Sequence, residues 1–325
     1  MSGGYDVLVL GEVLVELSSP GPLRASEQLT LSFSGDALNA AAAAAATGAA
    51  VGLLARVGDD ELGDAVVEHI ERCGVDTALV RRVPRPNGVY FTIADPDGGR
   101  EFVYVRQGSA GSTLEPSDVD AAAPAASRVL VVSGVTQAIS PSAAAAAEHA
   151  ARLVREAGGA VVYDPNFRPR LTTPAFARAA FARIAPSCSL VIPSHPAETT
   201  TLLGARTPEA AAGACLRLGA GAAAVSCGAD GVVLNDGGGP VRISAAPAGE
   251  VVDATGAGDV LAGTIAARLA RGERLEAAAR DGVVAAARSL TGRGGTGWLS
   301  VEPPVMRNGA GPGRPPRPRA GRRPR

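Results

Sequence analysis

Short apolar runs, β-branched or leucine-rich, recur along the chain between longer alanine-rich stretches with helical spacing. The runs fall at 7–10, 51–55, 129–133, 160–163, 190–192 and 223–226. Helices are expected beside them at 37–47, 61–73, 141–156, 174–184, 208–218 and 256–271. This alternation predicts an α/β fold, a mostly parallel sheet covered by helices on both faces. A second pattern interrupts it. The stretch from Gly88 to Arg106 reads as two strands around the turn Asp95-Pro96-Asp97-Gly98-Gly99, and 13–18 and 29–33 read as two more. Four strands outside the main alternation make a small sheet, a lid with strands within about 12–35 and 88–106. A surface hairpin with no role is the plainer reading, but Tyr90, Tyr104 and Arg106 all lie on it.

The length of 325 residues suits one large α/β domain with an attached subdomain, expected over 1–305. Hydrophobic residues make up 46%, enough for a buried core, while aromatics are only 3%, so each one is worth locating. From 306 to 325 the chain is almost entirely Gly, Pro and Arg; it lacks the apolar material for a core and is expected to be disordered. A net charge of −1 gives no global field for nucleic acid or membrane, so neither is an expected partner. All 31 cationic side chains are arginine, so any phosphate or carboxylate clamp must use guanidinium groups or backbone amides. Cys73, Cys188, Cys215 and Cys227 form no C-x-x-C pair and read as free thiols in a reducing cytoplasm. The N-terminus lacks a basic region and Glu12 interrupts its apolar run, so no signal peptide is expected. The alanine run 40–46 is too short and too weakly apolar to span a bilayer.

The segment Thr255-Gly256-Ala257-Gly258-Asp259 opens directly into a helical pattern. Two glycines let backbone N–H groups turn inward and the helix N-terminus adds positive potential, which together suit an anion. Charge developing on a transferred phosphoryl group would be stabilised there. Asp259, in the first turn, is placed to accept a proton from an attacking hydroxyl. Taken alone, Gly-x-Gly before a helix also serves as a tight turn with Asp as its cap.

The string from Val252 through Asp253-Ala254-Thr255-Gly256-Ala257-Gly258-Asp259 to Gly263 resembles the C-terminal signature of ribokinase-like (PfkB-type) sugar kinases, departing only at Ala254. An earlier signature of that family also occurs, as Ser34-Gly35-Asp36-Ala37-Leu38-Asn39 followed by Val57-Gly58-Asp59-Asp60-Glu61-Leu62-Gly63. The resemblance runs from about residue 6 to about 299. It implies a ribokinase-like three-layer sandwich with a small β lid, and ATP-dependent phosphorylation of a sugar hydroxyl. Asp259 would be the general base, with the amides of Gly256, Ala257 and Gly258 forming the anion hole. It also implies a nucleotide site using Ser226, Gly228, Gly231, Thr255 and Gly258, with 289–295 beside the adenine. Ser226–Gly231 read alone is a plain hairpin turn. Asp253 corresponds to a residue that helps bind a monovalent cation such as K+ in several relatives. The family's Asn-x-x-Glu element, which helps organise Mg2+, is here His195-Pro196-Ala197-Glu198: the glutamate is kept, directly or through water, and the histidine reads as a neutral substitute.

Within the family the likeness is closest to 2-keto-3-deoxygluconate kinases. It is carried by Gly11–Ser18, by Gly88-Val89-Tyr90, by Phe102-Val103-Tyr104-Val105-Arg106 and by Asp164-Pro165-Asn166-Phe167-Arg168. Substrate contacts are implied for Tyr90, Tyr104, Arg106 and Arg168, with Gly35 and Asn39 on the other wall. Two arginines converging on one small pocket favour an anionic substrate, and a guanidinium matches a carboxylate with two hydrogen bonds. Read singly, Arg106 is a strand-end charge and Arg168 a loop cap. The sequence and this resemblance together imply an ATP- and Mg2+-dependent kinase of a sugar acid, cytoplasmic and paired through its lid as a homodimer or a higher homo-oligomer. A kinase of a neutral sugar such as fructose or ribose, and a catalytically silent sugar- or nucleotide-binding regulator, are the alternatives.

Overall fold

The structure, a computed structural model, describes residues 4–94, 100–122 and 126–300. The turn expected at 95–99 and the tail expected at 306–325 lie outside the described residues. In chain order the strands are β1 (Val7–Leu10), β2 (Leu14–Ser19), β3 (Thr30–Ser34), β4 (Val51–Gly58), β5 (Val80–Val83), β6 (Gly88–Ala94) and β7 (Arg100–Val105), followed by β8 (Val129–Ser133), β9 (Ala160–Asp164), β10 (Leu190–Val191), β11 (Ala223–Ser226), β12 (Val232–Asn235) and β13 (Val241–Ile243).

Nine of them form one sheet in the order β13-β12-β11-β10-β9-β8-β1-β4-β5. From β11 to β5 every pairing is parallel, and β12 and β13 add an antiparallel edge. The near-continuous apolar runs are explained by burial on both faces. Val7 and Val9 of β1 pack into one core, and Leu8 and Leu10 into the other. The remaining four strands form the small sheet β3-β2-β6-β7, in which β2 pairs parallel with β6 and the other pairs are antiparallel. Both expected sheets are therefore present. Among the described residues no helix is long and apolar enough to cross a membrane.

Three helices start where a hydroxyl residue precedes proline. Ser140, Thr173 and Thr207 accept the N–H of Ala143, Phe176 and Ala210 at 3.0, 3.2 and 3.2 Å, with Pro in the first turn, where no N–H is missed. Two other helices matter most for the site. Asp36–Ala46 is almost wholly alanine beyond Asn39, and it packs against Ala257–Ala270. A Cβ at Gly263 would fall 2.0 Å from the Ala40 carbonyl oxygen. The small side chains are what let these backbones approach so closely, and the contact brings Asn39 alongside Asp259.

Candidate active site

Gly256 adopts φ 80°, a left-handed conformation costly for any residue with a Cβ. A Cβ there would also meet Asn39 Nδ2 at 3.0 Å and Gly295 Cα at 3.1 Å. The helix Ala257–Ala270 starts from this residue with no side-chain cap, so its first-turn amides have no side-chain acceptor at the positive end of the helix. Gly258 serves differently. It lies within the helix, and a Cβ there would meet only Asp164 Oδ2, at 3.9 Å, so its contribution is open space in front of the helix.

Asp259 is buried and held from two sides. Asn39 Nδ2 donates to its Oδ2 at 2.9 Å and Asn166 Nδ2 to its Oδ1 at 3.2 Å. Burial pushes its carboxyl from the ordinary 3.8 up to about 7; the nearby charge of Asp36 adds to this, while the two amides and Arg168 oppose it. A carboxylate tuned in this way is ionised near neutral pH yet basic enough to take a proton. Asp253 Oδ1 accepts the N–H of Thr255 at 2.9 Å and its Oδ2 that of Gly294 at 2.7 Å. It ties the loop preceding the helix to the segment 292–297.

In front of the helix lies a cleft of about 910 Å³. Its lining includes Gly35, Asn39, Tyr90, Tyr104, Arg106, Arg168, Asp253, Thr255, Gly256 and Asp259, so residues of the lid, the two helices and the loop after β9 meet in one space. Several of them have partners that their separation in the sequence hides. Arg106 is only 11% exposed and is ion-paired with buried Glu12, which also accepts from Ser109 Oγ at 2.7 Å. It is neither an exposed strand-end charge nor an uncompensated one. Tyr90 is buried with its hydroxyl donated to Glu16 at 2.7 Å, whereas Tyr104 is 38% exposed and offers its ring to the cleft, stacked on Tyr90 at 5.8 Å. Arg168 is exposed, and Arg170, two residues on, also lines the cleft and donates to the Phe102 carbonyl of the lid. Asp36 and Asn166 were read only as members of family strings and Arg170 not at all; the second arginine of the run Arg168-Pro169-Arg170 was the available signal for the last.

Ser226, Gly228 and Gly231 do not line this cleft. They sit in the β11–β12 hairpin, where Gly228 and Gly231 have φ 56° and 87°, and a Cβ at Gly231 would lie 2.0 Å from the Ile243 carbonyl oxygen. Packing against β13 therefore accounts for Gly231. The hairpin adjoins the His195 segment, since His195 N–H donates to the Ser226 carbonyl at 2.8 Å. His195 Nδ1 is within 2.8 Å of Thr199 Oγ1, a polar partner supplied by the helix Ala197–Leu203 that follows it.

Glu198 is buried. Its Oε1 accepts the N–H of Phe167 and its Oε2 that of Ser194, at 2.8 Å for the latter. Burial raises its carboxyl above the ordinary range, and burial together with the charges of Glu198 and Asp259 raises that of Asp164 further. The positive charge of Arg168 offsets part of this rise at each of the three acids. A hard divalent cation fits such a surplus of carboxylate. Among the described residues no three His, Cys, Asp or Glu side chains converge to chelate an ion directly. The surroundings therefore suit Mg2+ carried largely by water and phosphate oxygens, its usual habit, with Glu198 alongside.

A family model described as pfkB family carbohydrate kinase matches residues 5–300. The 2-dehydro-3-deoxygluconokinase of Thermoproteus tenax is 36% identical over 267 residues, 79% of this chain and 79% of its own. That of Bacillus subtilis (strain 168) is 27% identical over 78% of this chain and 80% of its own. The crystal structure of the PfkB protein from Polaromonas sp. JS666 is 31% identical, with a TM-score of 0.81 over 90% of this chain and 98% of that one.

Proposed function

This chain belongs to the pfkB family of carbohydrate kinases and is an ATP-dependent sugar kinase, and we propose that its substrate is 2-keto-3-deoxygluconate or a close 2-keto sugar acid, phosphorylated at its terminal hydroxyl. The observation that carries the reading is the polarity of the cleft. Its lining joins buried Asp259, held between two amides, to the exposed guanidinium side chains of Arg168 and Arg170. A sugar acid suits that polarity with its carboxylate toward the arginines and its far hydroxyl toward Asp259. The two similar enzymes named 2-dehydro-3-deoxygluconokinase support the same choice. Steady-state rates with ATP and Mg2+ on the sugar acid, fructose and ribose test it; faster turnover of fructose overturns it.

In this reading Asp259 takes the proton of the attacking hydroxyl, and the N–H groups at the start of the helix Ala257–Ala270 hold the charge that develops on the transferred group. Thr255 and Gly258 would border the nucleotide phosphates, and Ser226, Gly228 and Gly231 the remainder of the nucleotide. Asp253, its carboxylate fixed by the backbone N–H groups of Thr255 and Gly294, would lie beside a monovalent cation. Mg2+, when bound, supplies neutralisation of phosphate charge. Glu198→Gln is expected to raise the Mg2+ concentration giving half-maximal rate several-fold, because one anionic oxygen near the ion is lost. A Mg2+ titration of the initial rate checks this, and an unchanged midpoint removes Glu198 from the metal's surroundings.

The outer edges of the lid expose Leu31, Val103 and Val105, with Val105 60% exposed. Covering them by the lid of a second copy would bury this apolar surface. A homodimer is therefore expected in solution, and light scattering after size exclusion tests it.

A further inference from the structure

We infer that Asn39 and Asn166 are the positioning residues of Asp259: they hold its two carboxylate oxygens, one each, and so fix which lone pairs face the hydroxyl to be deprotonated. The inference deepens the reading of Asp259 as base and rests on it.

Four observations converge. Each amide donates to a different oxygen, at 2.9 and 3.2 Å, and both asparagines are buried, at 3% and 7% exposure. The direction of Asn39 is set from behind, because Ser34 Oγ donates to its Oδ1 at 3.3 Å and leaves the NH2 for Asp259. Asn166 has φ 40°, and among the described residues it is the one non-glycine in the left-handed region. That conformation is costly, although Asn tolerates it better than most residues, and such strain persists where the surroundings enforce it. The surroundings do so here. Asn166 N–H donates to Asp164 Oδ1 at 2.9 Å, and the next residue, Phe167, donates its N–H to Glu198. The loop is thus pinned at both ends in the one conformation that aims the Asn166 amide at the base.

Amides suit this task better than cations. A guanidinium in contact would hold the carboxylate ionised so firmly that it would be a poor base. Two neutral donors orient it while offsetting only part of the effect of burial. The charged groups facing Asp259 are Asp36 and Asp164, which favour its protonated form, and Arg168, which favours the ionised one. With both amides in place, each oxygen keeps one lone-pair direction for the substrate.

Asn166→Gly tests the inference, because glycine keeps the left-handed backbone without strain and removes only the amide. Turnover near pH 7 is expected to fall roughly 10–100-fold, the size of one lost charged hydrogen bond, with KM for sugar and ATP changing less than about threefold. The acid limb of kcat/KM should move up by roughly one pH unit as one hydrogen bond to the charged form is lost. Asn166→Asp, isosteric but adding a negative charge, should move the limb further in the same direction; it answers the question if the glycine variant does not fold. Asn39→Ser should reproduce the upward move through the other oxygen. A raised KM with an unmoved limb would make the asparagines substrate ligands and overturn the inference. Loss of activity in Asp259→Asn together with unmoved limbs in all three asparagine variants would leave Asp259 as base and overturn the clamp alone. Retained activity in Asp259→Asn would instead remove the base on which the inference rests.

Discussion

Asp259→Asn is expected to lower kcat by roughly 10²–10⁴-fold, the range typical for removal of a general base, while calorimetric binding of ATP and sugar changes little. The side chain is isosteric, so the cleft keeps its shape and the helix start keeps its amides. What disappears is the acceptor for the hydroxyl proton. The wild-type rate should itself carry the signature of this residue. Its carboxyl is raised to about 7, so the basic form is lost as pH falls through 7 and the rate falls with it; an ordinary carboxylate would hold its activity down to about pH 5. A mutant that keeps most of its turnover, or a wild-type profile flat from pH 8 to pH 5, would place the chemistry elsewhere.

What the sequence could show follows from how far each signal reaches along the chain. The central strands were legible because burial on both faces demands unbroken apolar runs, as in Val129–Ser133. The helices at Pro141, Pro174 and Pro208 were legible because the hydroxyl cap and the proline are adjacent. The start of Ala257–Ala270 was legible because its left-handed glycine lies next to the base. By contrast, the 15-residue helix Leu275–Ser289 went unread. Its N-cap is Arg274 with no side-chain cap, so nothing local announces it, and it is held by packing of Gly282 against Leu261 and Ile265. Strand β5 was hidden by exposed Arg81 and Arg82 within Val80–Val83, and β13 by its length of three residues.

The site shows the same division. Gly35, Asn39, Tyr90, Tyr104, Arg106, Arg168 and Asp259 do meet in one cleft, as the two signatures and the four local strings together implied. Their partners were out of reach, because no local rule joins Glu12 to Arg106 or Asn166 to Asp259 across the distances at which the fold brings them together. Arg106 shows why that matters. Two arginines in a pocket suggested two unbalanced charges, but Glu12 already balances one of them.

This asymmetry decides which arginine can report on the substrate. Arg106→Ala would strand Glu12 as a buried, unpaired charge, a loss of roughly 3–5 kcal/mol that would blur any reading of specificity. Arg168 is exposed, so its removal should cost little stability and act mainly on the substrate. Wild type is expected to phosphorylate 2-keto-3-deoxygluconate with a higher kcat/KM than fructose or ribose. A charged hydrogen bond contributes roughly 1.5–3 kcal/mol, and exposure to solvent favours the lower end, about tenfold in rate. Arg168→Ala should therefore reduce kcat/KM for the acid by about tenfold or more and for fructose by much less, narrowing the gap between them. Arg170 also lines the cleft, two residues on from Arg168, so part of the preference should survive the single change. Loss of field from Arg168 would also leave the carboxyls of Asp164, Glu198 and Asp259 less offset, an effect that must fall on both sugars alike. The ratio of the two kcat/KM values cancels this shared part and isolates the carboxylate contact. A wild type that prefers fructose, or a mutant that loses both sugars in equal measure, would end the sugar-acid reading and leave a kinase of neutral sugars.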